Sequence, residues 1–461
     1  MKIYNTLTKR IEEFKPITEG QVLMYTCGPT VYYFAHIGNL RTYIFEDTLQ
    51  KTLEYIGYHV KRAMNITDVG HMSGDNDNGE DKMLLASNKE GKSVNEIATF
   101  YTEAFKKDCT RLNIKWPEIV EKASDHIDYY IFMIERLLEK GFAYISAGNV
   151  YFDVSKMPHY YQLSGKNQDE LLVGVRDTVE EDKNKHHPAD FGLWFTSSKF
   201  SNQLMQWDSP WGRGYPGWHI ECSGLACQFL GERIDIHCGG VDNIFPHHTN
   251  EIAQSEAFLG HKWCNYWMHG EYLNDKSGKM SKSKGGILTL DDLIAKGFQP
   301  IHYRYFCLNS HYRKTLTFSF ENLEGAKNAY QKLKNRVMSL KEEGLLDEEA
   351  IKKYQNAFQD AISDDLNTAQ ALTVLYDVLK SELNDNSKRY LISNFDKVLS
   401  LDLLKEEKLM IDDEIKKKIA QRDLAKKQKK FKEADAIRDE LLKEGIVLID
   451  TREGTVYKRR D

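Results

Sequence analysis

Several features are missing from this sequence of 461 residues. No uncharged stretch is long enough to span a bilayer, and the run from Met1 to Thr6 lacks the basic-apolar-small pattern of a secretory leader. The seven cysteines are odd in number and scattered, so they provide no disulfide framework. Internal repeats and low-complexity segments are also missing. We therefore expect a cytoplasmic protein without membrane spans, in which some thiols could be metal ligands.

Composition indicates a folded chain with one basic end. Hydrophobic residues make up 41% and charged residues 29%, which allows a sizeable core and about three domains. The net charge is −6, but residues 416–461 carry 15 Lys+Arg against 9 Asp+Glu. The rest of the chain therefore carries −12. A basic end on an acidic body favours docking of a polyanion there, although a solvated helical face is an equal alternative.

The first 66 residues have the order strand, loop, helix, strand. Residues 22–27 form an apolar run typical of a buried strand, residues 38–55 have helical periodicity, and residues 59–66 predict the next strand. This order begins a parallel α/β unit, in which ligands lie at the carboxyl ends of strands. The loop His36-Ile37-Gly38-Asn39 offers two donors for phosphate oxygens and a glycine that permits close approach. A plain loop is the alternative interpretation.

The second half of the chain repeats this order. A helix is predicted from Trp218, and strands at residues 234–240 and 266–270. Pro246 suits the first turn of another helix, on which His247 and Glu251 are four residues apart and share a face. This pair can bind zinc or can be a solvated histidine at a polar helix start, and two ligands alone do not make a site.

The remaining patterns predict a charged loop followed by helices. Residues 279–286 form a glycine-flanked loop with three lysines, which suits a reacting phosphate chain or a solvated basic turn. Residues 92–140 also have helical spacing, and Ser363-Asp364-Asp365 is a helix-start signal. The predicted fold is a doubly wound Rossmann-type parallel sheet with an insertion, then an α-helical bundle and a small mixed α+β domain. The expected helices are residues 328–340, 348–363, 366–384, 388–399 and 412–444, with a strand pair at 446–450 and 455–457.

The order of two motifs resembles that of class I aminoacyl-tRNA synthetases. His36-Ile37-Gly38-Asn39 matches the family's His-Ile-Gly-His motif with Asn39 in place of the last histidine, and residues 279–283 match Lys-Met-Ser-Lys-Ser without change. Further segments resemble those of cysteinyl-tRNA synthetases across essentially the whole chain: 26–32, 65–69, 216–223, 245–255, 364–368 and 431–438. Two features depart from that family: the acidic segment after Asp68, which extends to Lys82, and Tyr457 where a tryptophan is expected.

The resemblance implies a set of roles. One zinc ion per chain would be held by Cys27, Cys222, His247 and Glu251. The cysteine pocket would include Thr67 and Trp218. The catalytic residues would be Lys282, Lys279, His36 and Asn39. ATP, with Mg²⁺, would meet Gly28, His36, Gly38, Asn39, Gly270 and Lys282. The implied partners are L-cysteine, ATP and tRNA(Cys), and the expected state is a monomer. His248 and the other five cysteines receive no role.

The same resemblance implies a division of the chain. The expected regions are two halves of the catalytic domain (1–125 and 213–270), a connective insertion (126–212), the lysine-loop region (271–320), a tRNA-binding helical bundle (321–404) and a basic anticodon-binding domain (405–461). Catalytic zinc usually has three protein ligands and an open position, so four candidates require either a fifth ligand or loose binding by Glu251. We favour loose binding by Glu251.

Two other functions are compatible with parts of this pattern. A related ligase passes activated cysteine to an amino sugar in thiol-cofactor synthesis, but it lacks the region equivalent to residues 405–461. An inactive, RNA-binding relative of the synthetases would not need the thiol, histidine and lysine residues of the two sites. The expected function is therefore a zinc-dependent cysteine–tRNA ligase.

Overall fold

A computed structural model describes residues 1–69, 91–165, 183–196, 205–275, 278–279, 288–406, 413–443, 446–451 and 454–459. The chain divides into two units, Met1–Leu404 and Lys405–Asp461. Within the described ranges, no helix has both the length and the apolarity that a bilayer crossing requires.

The larger unit begins with the first half of the central sheet. Its elements are β1 (Lys2–Asn5), β2 (Arg10–Glu13), β3 (Gln21–Thr26), α1 (Ile37–Tyr55), β4 (His59–Ile66), α2 (Val94–Arg111), β5 (Ile119–Lys122) and α3 (Ile127–Glu139). The insertion and the second half follow: β6 (Ala143–Ser146), β7 (Asn149–Phe152), β8 (Phe191–Phe195), β9 (Tyr215–Pro216), α4 (Trp218–Leu230), β10 (Ile234–Gly240), α5 (Thr249–Leu259) and β11 (Cys264–Gly270).

The rest of the chain is mostly helical. The larger unit ends with β12 (Leu273–Asp275), β13 (Gly278–Lys279), α6 (Leu290–Ala295), α7 (Pro300–Leu308), β14 (Leu316–Thr317), α8 (Phe320–Met338), α9 (Glu348–Ser363), α10 (Thr368–Lys380) and α11 (Asp385–Leu399). The smaller unit contains α12 (Asp413–Lys427), α13 (Phe431–Lys443), β15 (Ile446–Thr451) and β16 (Gly454–Arg459), the two strands pairing in antiparallel fashion.

The central sheet is parallel throughout, with strand order β11-β10-β3-β4-β5. Strand β10 is buried along its whole length, and only the first residues of β4 reach solvent. Strands covered on both faces by helices are characteristic of this architecture. The predicted Rossmann-type sheet is confirmed, and the reversal of strand order between β3 and β10 brings the two halves of the chain together.

Three local predictions were wrong. Residues 92–140 are not wholly helical, because β5 intervenes as the edge strand of the sheet. The segment Ser363-Asp364-Asp365 ends a helix instead of starting one, and Asn367 caps α10 by accepting from the backbone of Gln370. Pro246 does not open a regular α-helix: the turn Ile244–His248 is kinked at Phe245, whose backbone is extended (φ −142°, ψ 131°), and α5 starts only at Thr249.

Helix α1, whose first turn lies in the candidate site, is held at its centre by a buried charge cluster. The Asp47 carboxylate accepts from Arg304 on α7 at 2.7 Å and from Lys51 at 2.8 Å, and the Asp47 and Arg304 side chains are both fully buried. Burial opposes ionisation of Asp47, but Arg304 and Lys51 outweigh it and hold the pKa of this carboxyl below its ordinary value.

Replacing Asp47 by asparagine should therefore destabilise the protein strongly. The variant D47N leaves the Arg304 guanidinium buried without its counter-charge, which typically costs about 3–5 kcal/mol. Chemical denaturation at neutral pH measures this loss. Because the folded pKa of Asp47 is depressed, its stabilisation is present above the unfolded pKa of about 4 and is lost as the pH falls below it.

The exposed ion pair between Arg136 and Glu139 is the matched control. Both side chains are more than half exposed, at 51% and 59%, so E139Q should change the free energy of unfolding by less than about 1 kcal/mol. Equal destabilisation by the two variants would contradict the role given to Asp47.

Candidate metal centre and nucleotide loop

Cys27 lies directly after β3, at the carboxyl edge of the central sheet. Its backbone N–H donates to the carbonyl of Cys238 on the neighbouring strand at 3.3 Å. The next residue, Gly28, has no room for a side chain, because a Cβ there would lie 1.5 Å from the carbonyl oxygen of Asn65. The close approach to β4 thus explains Gly28 and holds the Cys27 thiol at the sheet edge.

The other three predicted metal ligands converge on Cys27. Cys222 comes from the start of α4, His247 from the kinked turn Ile244–His248 and Glu251 from the first turn of α5. The two Sγ atoms are 3.9 Å apart, Oε1 of Glu251 lies 3.9 Å from the Cys27 sulfur, and His247 Nε2 lies 3.1 Å from that oxygen. All four donor atoms lie within 4.8 Å of one another.

A second donor group shares two members with the first. Cys27, His237, His248 and Glu251 also place their donor atoms within 4.8 Å of one another. The Nε2 atom of His248 is 3.3 Å from the Cys27 sulfur, and Nε2 of His237 is 2.9 Å from Oε2 of Glu251. The sequence interpretation left His248 outside the site and did not consider His237, yet both are fully buried in it.

Two further histidines support these groups. His219 Nδ1 lies 2.9 Å from His247 Nδ1, and His269 Nε2 lies 2.8 Å from His248 Nδ1. Each contact leaves the Nε2 atom of His247 or His248 directed at the donor cluster, as ring partners around metal-binding histidines do. The sequence signal was available, because His219 begins a predicted helix and His269 precedes the last residue of a predicted strand.

Burial dominates the electrostatics of the cluster. It raises the pKa of Glu251 to about 8 and, together with the neighbouring Cys222, raises the pKa of the Cys27 thiol well above its ordinary value. It also lowers the pKa of His237 and of His269 to about 3. The protein thus favours neutral thiols, carboxyl and imidazoles here, and a bound cation reverses that preference by displacing protons from the thiols.

The donor set of the first group suits zinc. Thiolate, imidazole and carboxylate are the zinc ligands of proteins, and a site with two thiolates favours a soft, tetrahedral ion over Mg²⁺ or Ca²⁺. Cys27 is the least buried of these four residues.

The two residues predicted for the amino-acid pocket border the cluster. Thr67 is tied to the Cys27–Gly28 bend, because Asn65 donates to the Thr67 hydroxyl at 2.8 Å and accepts from the Gly28 backbone at 2.7 Å. The Trp218 ring lies 4.5 Å, centroid to centroid, from the ring of the metal-ligand candidate His247.

The nucleotide loop predicted at His36 is a helix cap. The ring nitrogen Nδ1 of His36 accepts from the Asn39 backbone at 3.2 Å, and the His36 backbone donates to Oδ1 of Asn39 at 3.3 Å. Gly38 lies beneath the ring, where a Cβ would approach Nδ1 and Cε1 of His36 to 2.9 Å. The missing side chain of Gly38 therefore makes room for His36, a reason that differs from the predicted approach of a nucleotide.

The remaining predicted ATP residues lie beyond β11. Gly270 ends that strand and packs against α1, with the Phe45 ring 3.3 Å from a Cβ placed at residue 270. Lys279 lies in β13, paired with Asn274, and Lys282 falls outside the described residues. The described chain resumes at Leu288, whose carbonyl accepts from the Ile37 backbone at 2.9 Å.

Comparison with known proteins assigns most of the chain. A family described as "tRNA synthetases class I (C) catalytic domain" matches residues 13–328, and a DALR domain matches residues 357–401. The cysteine–tRNA ligase of Treponema denticola is 47% identical over 100% of this chain and 99% of its own length, and that of Borreliella burgdorferi is 45% identical with the same coverage.

A solved structure agrees with the fold. Mycobacterium tuberculosis methionyl-tRNA synthetase, in complex with methionyl-adenylate, superposes with a TM-score of 0.56 at 15% identity, covering 83% of this chain and 90% of that one. At this identity the likeness concerns the fold alone.

Proposed function

The chain belongs to the cysteine–tRNA ligase family of class I aminoacyl-tRNA synthetases, and from that premise we propose that it activates L-cysteine at a zinc ion held by Cys27, Cys222, His247 and Glu251. The observation that carries the proposal is the convergence of these four donor atoms, from four separate segments, within 4.8 Å. When bound, zinc supplies a soft Lewis acid that prefers a thiolate to a hydroxyl and so distinguishes cysteine from serine.

The first donor group is favoured over the second because of its second thiol. Cys222 and His247 belong only to the first group, and His237 and His248 only to the second. Zinc gains more from a second thiolate than from a second imidazole in a site that must tolerate a substrate sulfur. We assign His237 and His248 to a supporting role, since each bonds to a member of the first group, namely Glu251 and Cys27.

Glu251 is suited to be the ligand that yields to substrate. Its Oε1 atom faces His247 and Cys27, whereas its Oε2 atom is bonded to His237. If Oε1 withdraws from the metal, the carboxylate keeps the His237 contact and is not left unpaired in a buried place. This asymmetry supports loose binding by Glu251.

We assign the first chemical step to the residues of the two motifs. The cysteine carboxylate oxygen attacks the α-phosphorus of ATP, the bond to the pyrophosphate oxygen breaks, and cysteinyl-adenylate forms. His36 and Asn39, at the start of α1, offer side-chain donors where a helix N-terminus favours anions, with Mg²⁺ accompanying ATP. Lys282, assisted by Lys279, would neutralise charge that develops on the phosphates.

The second step transfers the cysteinyl group to tRNA(Cys). A ribose hydroxyl at the 3′ end attacks the adenylate carbonyl, and AMP leaves. The smaller unit would hold the anticodon end, because its lysines and arginines match phosphates and Phe431, 61% exposed between two lysines, offers a ring to an unpaired base. The seven free thiols of the described chain fit a cytoplasmic setting.

Cysteine-dependent exchange of pyrophosphate into ATP, with and without a chelator, tests this function. We expect exchange with cysteine and none with serine, and loss of exchange after the metal is removed. Exchange without subsequent charging of tRNA would instead favour the amino-sugar ligase. Absence of exchange would favour the inactive RNA-binding relative.

A chain ending at residue 404 tests cysteine activation and tRNA charging separately. Because the larger unit is self-contained, we expect its exchange rate to stay within about twofold of the full chain. Charging should fall at least about tenfold in kcat/KM, since about 1.4 kcal/mol or more of tRNA binding is lost. Unchanged charging would refute the anticodon role of residues 405–461.

A further inference from the structure

We propose that Arg62 is a positioning residue for the metal centre: it holds the Thr26 hydroxyl and thereby sets the direction of the neighbouring Cys27 thiol. The proposal rests on the zinc site proposed above and adds to it a residue that is not itself a ligand. Glu46, which forms an ion pair with Arg62, keeps the guanidinium in place.

The last residues of β3 alternate between the two faces of the central sheet. Met24 belongs to the same apolar cluster as residues of α1, whereas Tyr25 and Cys27 belong to the cluster that contains residues of α4. Because successive side chains of a strand point to opposite faces, the Thr26 side chain lies on the α1 face. Thr26 is thus next to Cys27 in sequence but on the other side of the sheet from the metal-ligand candidates.

Arg62 lies on the neighbouring strand β4 and reaches Thr26 on that α1 face. Its Nε–H donates to the Thr26 hydroxyl oxygen at 3.1 Å, and its Nη2 donates to Oε2 of Glu46 on α1 at 2.7 Å. A third and longer contact, 3.5 Å, joins Nη1 to Oε1 of Gln50 on the same helix. Thr26, Arg62 and Glu46 are at most 1% exposed, so water does not compete for these bonds.

Stability alone does not explain this buried ion pair. Burial raises the pKa of Glu46 to about 8 although Arg62 opposes that shift, and Oε1 of Glu46 has no hydrogen-bond partner among the described residues. A buried ion pair of this kind is often no more stabilising than well-packed apolar side chains of similar volume. The hydroxyl that the pair holds, on Thr26, is therefore the better explanation for its presence.

Strand β4 also holds the residue on the other side of Cys27. The Asn65 side chain accepts from the Gly28 backbone N–H at 2.7 Å, so residues 26 and 28 are both bonded to side chains of β4. The Cys27 backbone itself donates to Cys238 on β10. These backbone bonds fix the register of the strand, but a rotation about the strand axis would still move the thiol. The Thr26 bond restrains that rotation from the opposite face.

The zinc affinity of the full-length protein tests the proposal. Competition with a chelator and the visible spectrum of the Co²⁺-substituted protein are measured for T26V, which removes the hydroxyl and keeps the shape, and for T26S, which keeps the hydroxyl. We expect T26V to weaken zinc binding about tenfold and to change the Co²⁺ band intensities, as loss of a residue behind a ligand does, with T26S close to wild type. Unchanged affinity and spectrum in T26V would overturn the proposal.

The double variant E46L/R62M tests whether the ion pair acts through Thr26. Because both charges are removed together, no unpaired charge is left buried, and chemical denaturation checks that the variant folds. It should weaken zinc binding as much as T26V does, and adding T26V to it should change the affinity by less than about twofold. Fully additive losses would show that Thr26 acts without Arg62 and would contradict the proposal.

Reactivity of the Cys27 thiol provides a readout that requires neither metal nor substrate. In chelator-treated protein, alkylation of Cys27 by iodoacetamide, located by peptide mass spectrometry, should be at least about threefold faster in T26V than in wild type. T52V is the matched control and should leave the rate unchanged, because Thr52 is also fully buried but its hydroxyl has no partner among the described residues. Equal rates in T26V and wild type would count against the positioning role whether or not the proposed ligase function holds.

Discussion

Replacing Cys222 by alanine is expected to remove the metal and to lower cysteine-dependent exchange by about 10³-fold or more. The thiol lies on α4 within 3.9 Å of the Cys27 sulfur and belongs only to the first donor group. Without it, the remaining donors lack the second thiolate, and Lewis-acid stabilisation of several kcal/mol is lost from the step that binds and orients the substrate sulfur. Metal content and exchange rate are both measured.

Cys227 on the same helix is the matched control. It is buried like Cys222, and it is a member of neither donor group found among the described residues. C227A should keep a full equivalent of metal and nearly all of the activity. Loss of metal in both cysteine variants would indicate damage to α4 instead of loss of a ligand.

Histidine variants then decide between the two groups. H247A should behave like C222A, whereas H237A and H248A should retain metal with an affinity about 10–100-fold weaker, as removal of a supporting residue usually produces. Full metal binding by C222A together with its loss in H248A would assign the ion to the second group.

Replacing Lys282 by alanine is expected to depress adenylate formation by about 10²–10³-fold while leaving cysteine binding almost unchanged. A cation that meets the phosphates only as they react stabilises the transition state more than the bound substrates, so the effect appears in kcat. In the proposed function, cysteine binds through its thiol at the metal and does not depend on Lys282. Exchange kinetics and equilibrium binding of cysteine measure the two quantities.

Lys284, two residues further along the same loop, provides the control. It lies outside the Lys-Met-Ser-Lys-Ser motif, and K284A should reduce exchange by no more than about threefold. Equal losses in adenylate formation and in cysteine binding after K282A would contradict the assignment of Lys282 to the transition state.

Periodicity predicted two of the long elements with their observed bounds, whereas the expected helix at residues 412–444 is two helices, α12 and α13. The strand at residues 59–66 and the helix at residues 348–363 occur with the predicted bounds. The helix has a continuous pattern of apolar residues over more than two turns, and the strand has one along its buried length. Local and tertiary preferences therefore agree in both elements. The edge strand β5 was missed because its four residues, Ile119–Lys122, are too short for a pattern and are strand only by pairing with β4.

Long-range contacts explain the error at the start of α10. Asp365 has the composition of a helix cap, but its carboxylate accepts from the Tyr4 backbone, the Tyr312 hydroxyl and the Arg313 guanidinium. These partners lie up to 361 residues away. They hold Asp365 at a positive φ of 52°, which a helix cannot include, and leave capping to Asn367.

The candidate metal site was only partly visible in the sequence. The pair His247 and Glu251 followed from helical spacing, and Cys27 and Cys222 came from resemblance to a family. The supporting histidines His219 and His269 lie at a predicted helix start and near a predicted strand end, but spacing alone does not show that this helix and this strand meet at the site.

The family, the parallel sheet and the chemistry of the two motifs follow from local patterns, since a strand, a helix or a motif is specified by residues close together in the chain. The parallel pairing of β10 with β3 at the centre of the sheet determines which donor atoms meet. This pairing brings Cys27 against segments about 200 residues away. The same is true of Gly38, whose place beneath the His36 ring depends on how the first turn of α1 is capped. Distances between remote side chains are a property of packing, and no short stretch of sequence contains them.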